Sequence, residues 1–377
     1  MSFRSSAAIA WLVAGILGLG SGRHAQASEP DDLLTGYSLT SWNDDAGRSI
    51  GSVYSIVQDA DLYLWIGTDD GLFRFDGSRF TAWEQLSEAP ARDAAVRSLL
   101  LDRAGGLWIG FANRAGVGLM RGRTVQRFDA GLEDLDAVTE LVQDGRGVMW
   151  AIADRGLFRL QGERWVSVPL PWKTRDGQVL QPFVTRAGQL WLGTRWGVFR
   201  HDSSSDTFQL VADDHVWGLS EDAAGRLWTT DIVAGFRPLA SPPPPHPLEG
   251  AGYRLLHDRD DNLWVATFGE GLWQVGREAG RLTVKRAALR TGLSSDSVQS
   301  LMQDRDGNLW VGTTGGLHRL TKRKLAPIDN IGFVLVTEPA GGGWMWAGTT
   351  NGLLRLPAEP QSPVRQRVGT TAPAAPP

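Results

Sequence analysis

The sequence contains no cysteine. That absence removes disulfides, thiolate nucleophiles and Cys-ligated metal sites together. Histidine is scarce: six occur in 377 residues, and none has a partner at a convincing zinc-ligand spacing. Charge of one sign is missing as well. Lys and Arg number 38 against 42 Asp and Glu, a formal net charge of −4, which leaves no electrostatic footprint for nucleic acid. The nucleotide, hydrolase and metalloprotease signatures G-x-x-x-x-G-K-S/T, G-x-S-x-G and H-E-x-x-H do not occur. "DRDGN" (304–308) starts like a calcium loop, but Gly315 stands where a bidentate Glu is required, so a hairpin turn is expected there. Neither a metal nor a cofactor is expected. Long apolar runs are limited to "AAIAWLVAGILGLG" (7–20), short for a membrane span. It follows Arg4 and precedes Ala25-x-Ala27, which predicts a signal peptide cleaved after Ala27 and a periplasmic chain. Cleavage would remove Arg4 and Arg23 and no acid, leaving the exported chain more acidic.

Tryptophan is abundant: 17 Trp stand against only 4 Tyr, alongside 46 Gly. Aligned on Trp65, Trp108, Trp150, Trp191, Trp228, Trp264, Trp310 and Trp346, the chain divides into eight copies with a period of about 40 residues. Each copy opens on an alternating strand such as "SVYSIVQD". An Asp precedes the Trp by six residues in six copies (Asp59, Asp102, Asp144, Asp222, Asp258, Asp304). A turn leads into "LW-V/I-G-T", and a third strand such as "GLFRFD" follows another glycine turn. "RFTAWE", "RWVSVP" and "TFQLVA" read as fourth strands. Four antiparallel strands in such a period make one propeller blade, which buries both faces only when ringed by its neighbours. The fold class is therefore all-β: a β-propeller of four-stranded antiparallel blades, eight repeats, in one ring of seven or eight blades. The Trp is expected to pack between blades and the Asp to cap its hairpin. The Gly two residues after the Trp (Gly67, Gly110, Gly193, Gly312, Gly348) is expected to leave room for the next blade.

The expected organisation is a signal peptide at 1–27, a linker at 28–36, a propeller at 37–356 and a disordered Pro/Ala-rich tail at 357–377. "YSLTSW" (37–42) has no blade of its own and is predicted to complete the last blade. "SPPPPHPLEG" (241–250) replaces the outer strand of copy five with a loop, because proline cannot donate to a ladder.

The pattern V-x-x-L/I-x-x-D-x-x-G-x-L-W-x-G-T-x-x-G-L-x-R, at 298–319 and more loosely over 37–356, resembles the two-component regulator propeller repeat. "TGLSSDSVQSLMQDRDGNLWVGTTGGLHRL" (291–320) carries it most fully. The resemblance implies a periplasmic sensor, joined in its family through a β-sandwich and a transmembrane helix to a histidine kinase or diguanylate cyclase. Several family members sense polysaccharide fragments. The family ring usually has seven blades, so the eighth copy could open a second ring. No phosphoacceptor-His helix or Gly-Gly-Asp-Glu-Phe motif occurs in the sequence. The expectation is a sensor propeller without its own output domain, partnered by a membrane-bound signalling protein or a second copy, and not an enzyme.

Loops joining strands two and three share a face with those joining strand four to the next blade. They carry Asp69, Asp70, Asn113, Arg114, Arg155, Arg195, Trp196, Phe268 and Glu270, and the blade connections add Trp217. Aromatic planes beside Arg, Asn and carboxylates suit stacking on a sugar and bonding to its hydroxyls, so a polar small molecule or oligosaccharide is the expected ligand. Two alternatives stand beside this one. A propeller glycosidase or lyase would need a carboxylate pair from among Asp69, Asp70, Asp154, Asp231 and Glu270. A protein–protein scaffold would fill the same face with a partner.

Overall fold

The computed structural model describes residues 33–42, 50–83, 95–112, 116–133, 135, 137–153, 156–171, 179–213, 215–231, 235–239, 252–278, 281–323, 334–341, 344–350, 352–357 and 366–367. Seven antiparallel sheets form the ring; six follow chain order outward from an inner strand, and the seventh takes its outer strand from the start of the chain. The inner strands are Val53–Gln58, Val96–Leu101, Val138–Gln143, Val179–Val184, Gly218–Glu221, Gly252–His257 and Val298–Gln303. Each packs against its two neighbours, and the seventh packs against the first.

The repeat's constant residues explain the assembly. In six blades the Asp accepts the Trp indole N–H through Oδ2, for example Asp144–Trp150 at 3.0 Å and Asp304–Trp310 at 2.8 Å. Its Oδ1 takes backbone N–H groups of the same turn, such as Arg146 at 2.9 Å and Val148 at 3.0 Å. One carboxylate thus closes the hairpin and satisfies a buried indole, which would otherwise be costly. "DRDGN" is such a turn. Blade 4 has Thr185 at this position, and the Nε1 of Trp191 is buried without a hydrogen-bond partner.

Glycine two residues after the Trp is required by close approach. A Cβ at Gly67 would sit 2.6 Å from Cγ1 of Val96 in the next blade, and one at Gly312 would sit 2.5 Å from Cγ1 of Val53. The second contact joins blade 7 to blade 1. Ser300 Oγ also donates to the Val53 carbonyl at 3.0 Å, Arg305 N–H to Gln58 Oε1 at 2.9 Å, and Arg305 Nη1 to the Ala60 carbonyl at 3.0 Å. The ring therefore closes with seven blades.

Closure corrects one expectation. Tyr37–Trp42 completes blade 7, not the last copy: it pairs antiparallel with Gly316–Lys322, from Tyr37 opposite Lys322 to Trp42 opposite Leu317. Its aromatic residues fix the position. Trp42 stacks on Trp310 with centroids 5.2 Å apart, and Tyr37 meets Trp264 edge-on at 5.4 Å. Leu33, in the segment read as a linker, is fully buried beneath blades 6 and 7. The eighth copy forms a separate sheet, Val334–Gly341, Trp344–Thr349 and Gly352–Pro357, with Gln366–Arg367 as its fourth strand. Those two residues fall within the segment expected to be a tail. Among the described residues blade 5 has three strands, and the proline-rich segment after it lies outside them, as does the signal-peptide region.

Candidate functional site

The inner strands run from the face carrying the strand-two-to-three turns toward the opposite face. In six of the seven ring blades the register slips near the start of the inner strand, as between Val53 and Ser55 or Gly252 and Arg254. A bulge opposes two residues to one and breaks the simple alternation of side chains. Two consecutive positions thereby become available to the central channel and to the seams between blades.

The first of these positions is occupied by Tyr54, Arg97, Thr139, Tyr253 and Gln299, with Trp217 at the equivalent place in blade 5. The Arg97 guanidinium lies over the Tyr54 ring, 3.9 Å from its centroid. Tyr253 donates its hydroxyl to the Gln299 carbonyl at 2.8 Å, and its ring stacks on Phe268 with centroids 4.1 Å apart. Burial pushes the Tyr253 hydroxyl's pKa upward, against the opposing pull of Arg254.

The second position mostly latches neighbouring blades. Ser55 Oγ accepts Leu99 N–H at 3.0 Å, Ser98 Oγ accepts Leu141 N–H at 2.9 Å, and Gln181 Oε1 accepts Leu219 N–H at 2.9 Å. Blade 5 has Gly218 here, and two further blades depart from this pattern. Glu140 of blade 3 and Arg254 of blade 6 reach across the channel and form an ion pair. Their side chains are 19% and 26% exposed, so the pair forms a floor just beneath the first layer. Burial works against the Arg254 charge, but Glu140 and Tyr253 together outweigh it and raise the guanidinium's pKa.

Those residues selected from the sequence that the structure describes fall around this mouth, on blades 1, 4, 5 and 6. Asp69 and Asp70 form the exposed turn of blade 1, where Asp69 Oδ1 accepts Ser52 N–H at 2.8 Å and Asp70 N–H donates to Thr68 Oγ1 at 3.0 Å. Arg195 and Trp196 form the equivalent turn of blade 4, and Trp196 is 45% exposed. Phe268 and Glu270 lie on blade 6. Phe268 is 53% exposed, while the Glu270 carbonyl accepts the Trp273 indole N–H at 3.1 Å. Trp217 is half-buried, 5.8 Å from the His215 ring. Asn113, Arg114 and Arg155 lie outside the described residues. Phe268 thus joins the channel layer directly, whereas Arg195–Trp196 and Asp69–Asp70 mark other sectors of the rim.

Sequence reasoning missed Tyr54, Arg97, Glu140, Tyr253 and Arg254. Strict alternation hides a bulge, but a signal was present. The columns five and four residues before the Asp are polar and variable, between columns that are mainly Val and Ile or Leu. Among the described residues no group of three or more His, Asp or Glu is placed to hold a metal ion.

Residues 292–315 match the family described as two component regulator propeller, and they are a repeat of that kind. No curated protein matches the chain in sequence. Solved structures with the same fold include the extracellular domain of a protein described as hybrid two component system BT3049 from B. thetaiotaomicron. It has a TM-score of 0.63 and 20% identity, over 85% of this chain and 48% of that one. A second is the extracellular domain of BT4673 from the same organism, with a TM-score of 0.59 and 19% identity, over 89% and 48%. Virginiamycin B lyase from Staphylococcus aureus is similar at a TM-score of 0.56 and 15% identity, over 76% of this chain and 100% of that one. The chain spans about half the length of these two extracellular domains. At identities this low the structural likeness shows the fold alone.

Proposed function

We propose that this propeller is the ligand-binding module of a periplasmic signalling system. A polar small molecule or oligosaccharide would bind at the channel mouth on the strand-two-to-three face. The observation that carries this reading is the Tyr253–Phe268 stack, an aromatic face left open beside a channel floored by Glu140–Arg254. Such a face fits the apolar side of a sugar ring, and the backbone and side-chain groups around it can meet its hydroxyls. The two component regulator propeller repeat and the likeness to the extracellular domain of a protein described as a hybrid two component system support a sensing role. The apolar run at 7–20 supports export. Binding would be passed to a membrane-bound partner or a second copy.

Calorimetry of the purified protein against a panel of neutral and acidic oligosaccharides tests this. Phe268→Ala should weaken a bound sugar about fivefold, given about 1 kcal/mol for a stacked ring. Trp196→Ala reports whether the blade 4 rim takes part. Unchanged affinity in both variants would place the ligand elsewhere, and release of a cleaved product would replace sensing with catalysis.

A further inference from the structure

The seven inner strands carry four acidic or Arg/Lys residues: Arg97, Glu140, Glu221 and Arg254. Three are neutralised. Glu140 and Arg254 pair with each other across the channel. Glu221 sits at the far end of its strand, where Oε2 accepts the Arg186 backbone N–H at 2.7 Å and lies 3.5 Å from the Arg186 guanidinium. Arg97 differs. It is exposed, its guanidinium rests on the Tyr54 ring, and among the described residues no carboxylate lies within ion-pair distance of it.

A guanidinium stacked on an aromatic ring keeps its in-plane N–H groups free, and these match the two oxygens of a carboxylate. The same layer of the channel holds the Tyr253–Phe268 face. The Glu140–Arg254 pair spans the channel one residue further along the inner strands, so a ligand entering from this side reaches the layer of Arg97 before it meets the pair. From these placements we infer that the channel mouth selects an acidic sugar, with Arg97 binding the carboxylate of a uronic acid whose ring lies against the aromatic face. This rests on the ligand-binding reading above and adds to it the charge of the ligand.

The probes are a trigalacturonide and its fully methyl-esterified form, which keeps the ring and linkage geometry but removes the charge. Binding is measured by calorimetry on the intact protein. The acid should bind at least tenfold more tightly than the ester. In Arg97→Gln that preference should disappear, and in Arg97→Lys it should shrink but persist, because charge remains without the two-pronged geometry. Arg97 is exposed, so the melting temperature of the Gln variant should stay near that of the parent. Phe268→Ala should weaken acid and ester alike.

Equal binding of acid and ester, with both sensitive to Phe268→Ala, would overturn the acidic-sugar inference while leaving the mouth as the site. An acid preference that survives in Arg97→Gln would overturn the assignment to Arg97. Binding of neither probe would overturn the uronic-acid specificity. Loss of the whole site reading would instead require that sugars bind and that neither Phe268→Ala nor Trp196→Ala changes the affinity of any of them.

Discussion

His318 should make the closed ring sensitive to mild acid. It lies in the third strand of blade 7 and is 1% exposed. Its Nε2 accepts the Ser294 backbone N–H at 3.1 Å, so that nitrogen carries no proton. Nδ1–H then donates to Ser41 Oγ at 2.8 Å, on the strand that closes the ring. Burial pushes the imidazole pKa down from 6.5 to about 4. In the unfolded chain the same ring takes a proton near its ordinary value, so between these two pH values the unfolded state binds more protons. Stability is therefore complete above about pH 6.5 and falls as the pH drops toward about 4. Linkage at about 1.4 kcal/mol per tenfold change in proton affinity gives a loss of about 2 kcal/mol between about pH 7.5 and about pH 5. Urea unfolding at both pH values, for the parent and His318→Gln, isolates this contribution because carboxylates and the other histidines cancel in the comparison. The parent should lose about 2 kcal/mol more than the variant. Equal losses would refute the neutral, doubly bonded imidazole and its role in holding the closing strand.

Three other outcomes are expected. Asp144→Ala strips the acceptor from the Trp150 indole and from the Arg146 and Val148 amides, and should cost about 3 kcal/mol in denaturant unfolding. Thr185→Asp supplies blade 4 with the acceptor that Trp191 lacks, and should raise stability by about 1 kcal/mol in the same assay. Trp42→Ala removes the stack on Trp310 and the edge contact with Phe75, and should cost about 2–3 kcal/mol, with faster amide exchange along Tyr37–Trp42.

Much of the fold was legible because it is written eight times. A Trp, an Asp six residues earlier and a Gly two residues later each have one physical task, and repetition separates that task from noise. The destination of "YSLTSW" was not legible, because the copies around Trp310 and Trp346 each offered an open third strand. Tertiary contacts decided between them: Trp42 against Trp310 and Tyr37 against Trp264 are meetings of residues far apart in the chain. At the candidate site Phe268, selected as a loop aromatic, does stand at the mouth. Arg97, Glu140 and Arg254 escaped because a bulge turns them toward the channel, and a period-two reading has no place for a bulge.

The closing strand also sets a timetable. Ser41 and His318, whose side chains meet in the finished ring, are separated by 277 positions. Synthesis produces Tyr37–Trp42 first and its partner Gly316–Lys322 only after six other blades, so the ring's final seam is the contact made latest. Until then the first strand and the growing stack present unpaired edges, the state in which β-rich chains are slow and prone to wrong pairing. The eighth copy emerges only after everything needed to complete the ring exists. Its sheet can therefore form afterwards, without competing for the strand that seals blade 7.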